Sequence, residues 1–225
     1  MAVTVQDILA IDAVFAGLEL LRNDLEIAEC GTALGSEIIT EGGMLVLGQS
    51  HGVAVQGRKL LIPRDRMIVE TSSVRTRVAR QYPANIEDVE SVVSLSKHAI
   101  ASTDLQGTVP SSFGFNMELV YDQDSGQNAH SYLGRRLFSR ASDLHEEWGY
   151  VGGSGKLLVH EEAWRWTINL DPRFQAADTS KVFLGANLHL SEARIPGDDE
   201  MDMLLRELWN RVHGLIENLD GRNHE

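Results

Sequence analysis

Phe113-Gly114-Phe115-Asn116-Met117-Glu118-Leu119-Val120 is the stretch on which the fold turns. Phe113, Phe115, Met117 and Leu119 alternate with Gly114, Asn116, Glu118 and Val120. Successive strand side chains point to opposite faces, so this period predicts a strand with one core face and one largely polar face. The same period recurs later. Trp164, Trp166, Ile168 and Leu170 alternate with Arg165, Thr167 and Asn169, and Val182, Leu184, Ala186, Leu188 and Leu190 mark a further strand. Alternation of this kind belongs to antiparallel sheets wetted on one side.

Helices are expected beside these strands. Asn85 to about Ser102 has Pro83 before it, Asn85 as a cap and Glu87, Asp88 and Glu90 at its positive end. Its stripe is Ile86, Val89, Val93 and Ile100. A second helix is predicted over Pro196–Asp220, opened by Asp198, Asp199 and Glu200. Met201, Leu205, Leu208, Val212, Leu215 and Leu219 form its seam, broadened by Leu204 and Ile216. That width predicts a helix lying across a sheet; the competing expectation is a self-association helix with Leu205, Leu208, Val212 and Leu215 as the interface. A short helix carries Tyr132, Leu133, Leu137 and Phe138.

The earlier residues are less regular. Ile8, Ile11, Phe15 and Leu18 recur at helical spacing, yet Val14–Leu21 also fits a strand. Gly31 to Gly57 reads as short strands and turns, and Lys59–Ile62 and Met67–Thr71 as paired strands with Pro63 at the corner. The fold class expected is α+β, with antiparallel sheet covered by amphipathic helices in a single domain over residues 1–225. Strand, Pro-Arg corner, strand, proline and helix occur twice, at about 40–105 and 155–220, which raises an internal duplication as a hypothesis. Its halves would share one sheet or pack about a pseudo-two-fold axis. Residues 221–225 are expected to be a disordered tail.

Composition narrows function mainly by exclusion. The 20 basic against 33 acidic residues leave a formal charge of −13, which disfavours nonspecific nucleic-acid binding. The apolar runs are too short to cross a bilayer and the N-terminus lacks a basic signal region, so a cytoplasmic protein is expected. Cys30, the single cysteine, reads as a small buried hydrophobe. Basic residues gather between Arg58 and Arg80, where Arg64 and Arg66 are placed on the solvated face of a strand whose Met67 and Val69 point inward; an anion site at Arg64 and Arg66 is the alternative.

Chemistry-bearing motifs are sparse. His145-Glu146-Glu147 and His160-Glu161-Glu162 lack the second histidine of a metallopeptidase helix, because Gly149 and Trp164 stand four residues on. Separate turns bringing His145 and His160 around a divalent cation would make a metal-dependent hydrolase. Gly149–Lys156 fails the phosphate-loop pattern, with Tyr150 and Leu157 at the required Gly and Ser/Thr positions. It also lacks the spacing of a nucleophile elbow. Trp164 and Trp166 are expected in the core, while Asn116, Glu118, Arg165, Thr167 and Asn169 are placed to line a cleft. His189 and His213 have no visible partner. No cofactor motif is found. The expectation is a noncatalytic module that assembles with itself or another protein; a metal-dependent hydrolase or a small-molecule binder with its pocket between sheet and helices are the alternatives.

Overall fold

The computed structural model describes residues 5–35, 38–46, 54–123, 128–137, 154–161, 164–172 and 180–219. The chain runs β1 (Val5–Ala16), α1 (Asp24–Leu34), β2 (Ile39–Val46), β3 (Ala54–Ile62), β4 (Met67–Ser72), β5 (Arg75–Gln81) and α2 (Ile86–Ala101). It continues β6 (Ser112–Asp122), α3 (Ala129–Leu137), β7 (Gly155–Glu161), β8 (Trp164–Pro172), β9 (Lys181–Leu190) and α4 (Asp198–Leu219). The strands form one antiparallel 9-stranded sheet in the order β2-β3-β4-β5-β1-β6-β9-β8-β7. The α+β class read from the alternation is the class observed.

Period-2 burial builds the sheet's inner face. Ile11, Ala13 and Phe15 of β1, Phe113, Phe115, Met117 and Leu119 of β6, and the even-numbered residues of β9 from Val182 to Leu190 are buried in one cluster. The buried sides of α1, α2, α3 and α4 join the same cluster. Phe113 meets Phe15 at 4.9 Å and Phe115 at 5.0 Å between ring centroids, at the centre of the core. Leu204, Leu205, Leu208, Val212 and Ile216 turn the inner side of α4 onto the sheet. α2 and α4 lie side by side, joined by Lys97 to Asp202 at 2.6 Å and by Arg206 to Glu90. Among the described residues, no helix covers the sheet's other face.

Three departures from the sequence reading have local causes. Residues 5–16 form a strand despite the helical spacing of Ile8, Ile11 and Phe15, since β1 sits mid-sheet with β5 and β6 on its two sides. α1 falls within the Gly31–Gly57 stretch and just before it. Asn23 caps it by accepting from the Glu26 amide at 3.0 Å, and Glu26 accepts from the Arg22 amide at 2.7 Å. Gly35 ends it at φ 60, a left-handed turn that glycine adopts without steric cost. β5, Arg75-Thr76-Arg77-Val78-Ala79-Arg80-Gln81, is a strand whose arginines hid its buried Thr76 and Val78.

The halves share one order: strand, helix, antiparallel meander, helix. β1 and β6 pair antiparallel at the centre, flanked by β5 and β9, the last strand of each meander. Pro63 lies between β3 and β4, whereas Pro172 ends β8, before β9.

Candidate functional site

The uncovered face gathers polar side chains in rows, because directly opposed residues of an antiparallel sheet share a face about 5 Å apart. One row runs Asp12, Asn116, Asn187, Thr167 and Leu158 across β1, β6, β9, β8 and β7. A neighbouring row runs Lys59, Glu70, Arg77, Val14, Gly114, His189, Arg165 and His160 from β3 to β7. On the far side of the first lies Ala10, Glu118, Gly185, Asn169 and Lys156. Between them is a depression of about 430 Å³, lined by Asp12, Arg75, Arg77, Asn116, Asn187 and Phe183 among others. Of the five residues named from sequence as cleft residues, Asn116, Glu118 and Asn169 line it, while Arg165 and Thr167 do not.

Asp12 organises this face. It is 6 % exposed. Its carboxylate accepts from Arg77 Nε at 2.9 Å and Nη2 at 2.9 Å, and from Asn116 Nδ2 at 2.6 Å. A carboxylate only accepts, so Asn116 must direct its amide nitrogen there and its Oδ1 toward β9. That oxygen accepts from Asn187 Nδ2 at 2.5 Å. The amides are thus ordered in one direction across three strands, away from Asp12. Arg77 also meets Glu70 at 3.4 Å. Burial alone would lower the Arg77 pKa, but Asp12 and then Glu70 outweigh it and raise it, so the cation is secure.

The other sequence-derived sites lie elsewhere. Leu205, Leu208 and Val212 are fully buried within the chain's own core, and Leu215 is half-buried. These side chains are inner-face packing here, so an interface on α4 would need its outer side, where Met203 is 60 % exposed. Arg64 belongs to a single 3-10 turn, Pro63–Asp65, and Arg66 follows it at φ 53; neither is on a strand. The proline forces the corner and the strand resumes at Met67, which is buried with Val69 as expected. Of the other basic residues around that corner, Arg58 contacts Asp24, Arg77 contacts Asp12 and Arg80 contacts Asp88, which consumes much of the local positive charge.

His145 and the Gly149–Gly153 turn lie outside the described residues. His160 is on β7, directly opposite Arg165. Among the described residues, no group of three His, Cys, Asp or Glu side chains is arranged to hold a metal. Trp166 is buried, with the Arg211 guanidinium 4.5 Å over its ring, and Arg211 makes paired contacts to Glu161 at 2.7 and 2.8 Å. His213 stacks on Trp209 at 4.3 Å between centroids. A groove of about 720 Å³ runs along α1 beside Ile38 and Thr40, with Asp24 as its charged member.

Cys30 is fully buried on α1. Burial pushes its thiol up to about 11, with a Ser102 hydrogen bond pulling the other way. A raised acid pKa keeps the folded thiol protonated while the unfolded one ionises at its ordinary value, so this contribution to stability is complete at neutral pH and is lost as pH rises toward 11. Native protein should therefore resist iodoacetamide at pH 8 and react only on unfolding. Its urea midpoint should fall between about pH 9 and pH 11, a fall that Cys30→Ala should reduce.

No family model matches the chain, and no curated protein matches it. No helix among the described residues is long and apolar enough to cross a membrane.

Proposed function

We propose that this chain is a noncatalytic recognition module that meets its partner with the helix-free face of the sheet. The observation that carries this reading is the Asp12–Asn116–Asn187 row, a buried carboxylate orienting successive amides beneath an open depression. A face kept merely wet needs surface charge but no ordered network. Rigid, pre-oriented donors and acceptors instead lower the entropic cost of binding. The core explains the apolar strands and the leucines of α4, and the surface left for recognition is mainly polar, with Val14, Phe183 and Leu158 as its apolar members.

The test places photoreactive benzoylphenylalanine at Asn169, on this face, or at Met203, on the outer side of α4, in protein expressed in its native host. Discrete crosslinked adducts from position 169 and not from 203, including adducts to a second copy, are the expected result. Adducts from 203 alone, or from neither position, would refute the reading.

A further inference from the structure

The row containing Arg165 differs on the two sides of the sheet. On the β3–β5 side its charges alternate, Lys59 opposite Glu70 and Glu70 opposite Arg77. On the β9–β7 side it holds His189, Arg165 and His160 in direct opposition, with no acid among them. Their direct and diagonal strand neighbours on the same face, among the described residues, are Ser112, Gly114, Asn116, Asn187, Thr167 and Leu158, none of which is charged. Arg165 has no ion pair among the described residues, and it is exposed. Arg22, Arg58, Arg77, Arg80, Arg194, Arg206 and Arg211 each contact a carboxylate. Arg64, Arg66 and Arg75 also lack a carboxylate partner among the described residues, so what marks Arg165 is its place in register between two imidazoles.

We infer that His160, Arg165 and His189 form a binding site for an oxyanion, a phosphoryl or carboxylate group presented by the partner. A guanidinium supplies planar donors matched to such a group, and each imidazole adds one ring N–H when neutral. A divalent cation is disfavoured at the same place, because Arg165 stands between the two imidazoles. Gly114, next along the row, packs so closely on β9 that an added Cβ would lie 2.6 Å from the Leu188 carbonyl oxygen, so it presents bare backbone beside His189. The amides of Asn116 and Asn187 in the adjoining row offer neutral polar contacts to the rest of the ligand. His189 is held below its ordinary pKa by burial and then by Arg165, so a bound anion opposes that shift and protonation of His189 strengthens binding. No described carboxylate on β6, β8 or β9 faces His189 closely enough to reverse that sign. The site deepens the recognition reading by naming the chemical group that the face takes.

The experiment follows the imidazole resonances of His160 and His189 by NMR, using the full chain at pH 6.5 and constant ionic strength. Inorganic phosphate is titrated in one arm, acetate in a second and chloride in a third. Saturable shifts with phosphate or acetate, an increase of the His189 imidazole pKa, and at least tenfold weaker binding in Arg165→Gln are expected. Arg206→Gln, on α4 and away from this face, should bind as the parent does. Saturation by phosphate alone assigns a phosphoryl ligand, by acetate alone a carboxylate, and by both a general oxyanion site. Shifts no larger than those with chloride, or unchanged binding in Arg165→Gln, would overturn the site. Crosslinking from position 169 persisting alongside a silent titration would remove the anion site while leaving the recognition face in place.

Discussion

A Leu208→Asp chain is expected to lack a cooperative urea transition by far-UV circular dichroism, because the substitution puts an unpaired carboxylate where α4 meets the sheet. Leu208 is fully buried, in a cluster with Leu204, Leu205 and Val212. Truncating such a leucine to alanine costs about 2–5 kcal/mol through lost transfer energy and the cavity left behind. Burying a charge without a partner adds several more, against a total stability of about 5–15 kcal/mol for a domain. Leu208→Ala should therefore fold with a much lower midpoint, and Leu208→Asp should not fold. Leu215→Asp is the contrasting case, since Leu215 is half-buried at the margin of the core. It should stay folded with a smaller loss. A folded Leu208→Asp protein of altered mass would instead make the α4 seam an interface between chains and contradict its burial.

The sequence carried the fold where apolar period and solvent face coincide. β6, β8 and β9 could be read residue by residue because every other side chain is buried and the alternates, Val120 and Phe183 apart, are polar or small. α2 and α4 could be read because proline, an Asn or Asp start and a clear stripe all agree. β1 was ambiguous because Ile8, Ile11 and Phe15 satisfy a helical spacing, and only pairing on both sides selects the strand. β5 was missed for a different reason. Arg75 and Arg77 face outward and Arg80 reaches Asp88, so its charge masked the strand period. α1 did carry a signal, Asn23 three residues before Glu26 with Gly35 beyond the end, but its weak apolar stripe gave it no weight.

The candidate site was legible only in its parts. Asn116, Glu118 and Asn169 were identifiable as outward residues of two strands. That Asp12 completes their surface depends on the β1–β6 register, and that His189 and His160 flank Arg165 depends on the registers of β7, β8 and β9. Sequence distance conceals both, since register is a property of paired strands rather than of either strand alone. The two His-Glu-Glu triplets drew attention as a unit, yet β7 sends His160 and Glu161 to opposite faces. Glu161 goes to Arg211 on α4, while His160 faces Arg165 on the helix-free side.

Asp12→Ala should destabilise the folded chain by about 2–4 kcal/mol, more than any other single change in the polar rows. Breaking a buried ion pair by removing one partner typically costs about 3–5 kcal/mol, and Arg77 is 31 % exposed, so water recovers part of that loss. What remains has two sources. Arg77 keeps only Glu70 at 3.4 Å, and Asn116 Nδ2 loses the acceptor that fixes its orientation. Asp12→Asn keeps the volume but introduces an amide donor facing donors, so it should cost less than alanine while still releasing the amide order. The direction of the chain then predicts a gradient. Asn116→Ala removes the central link and should cost about 1–2 kcal/mol, whereas Asn187→Ala removes only the terminal donor and should cost under about 1 kcal/mol. Urea denaturation of the four variants measures this order directly. A double-mutant cycle between positions 12 and 187 should also show coupling, because Asn187 contacts Asn116 only in the orientation that Asp12 imposes. Equal losses at 116 and 187, with no coupling between 12 and 187, would mean that the amides act independently and that Asp12 serves Arg77 alone.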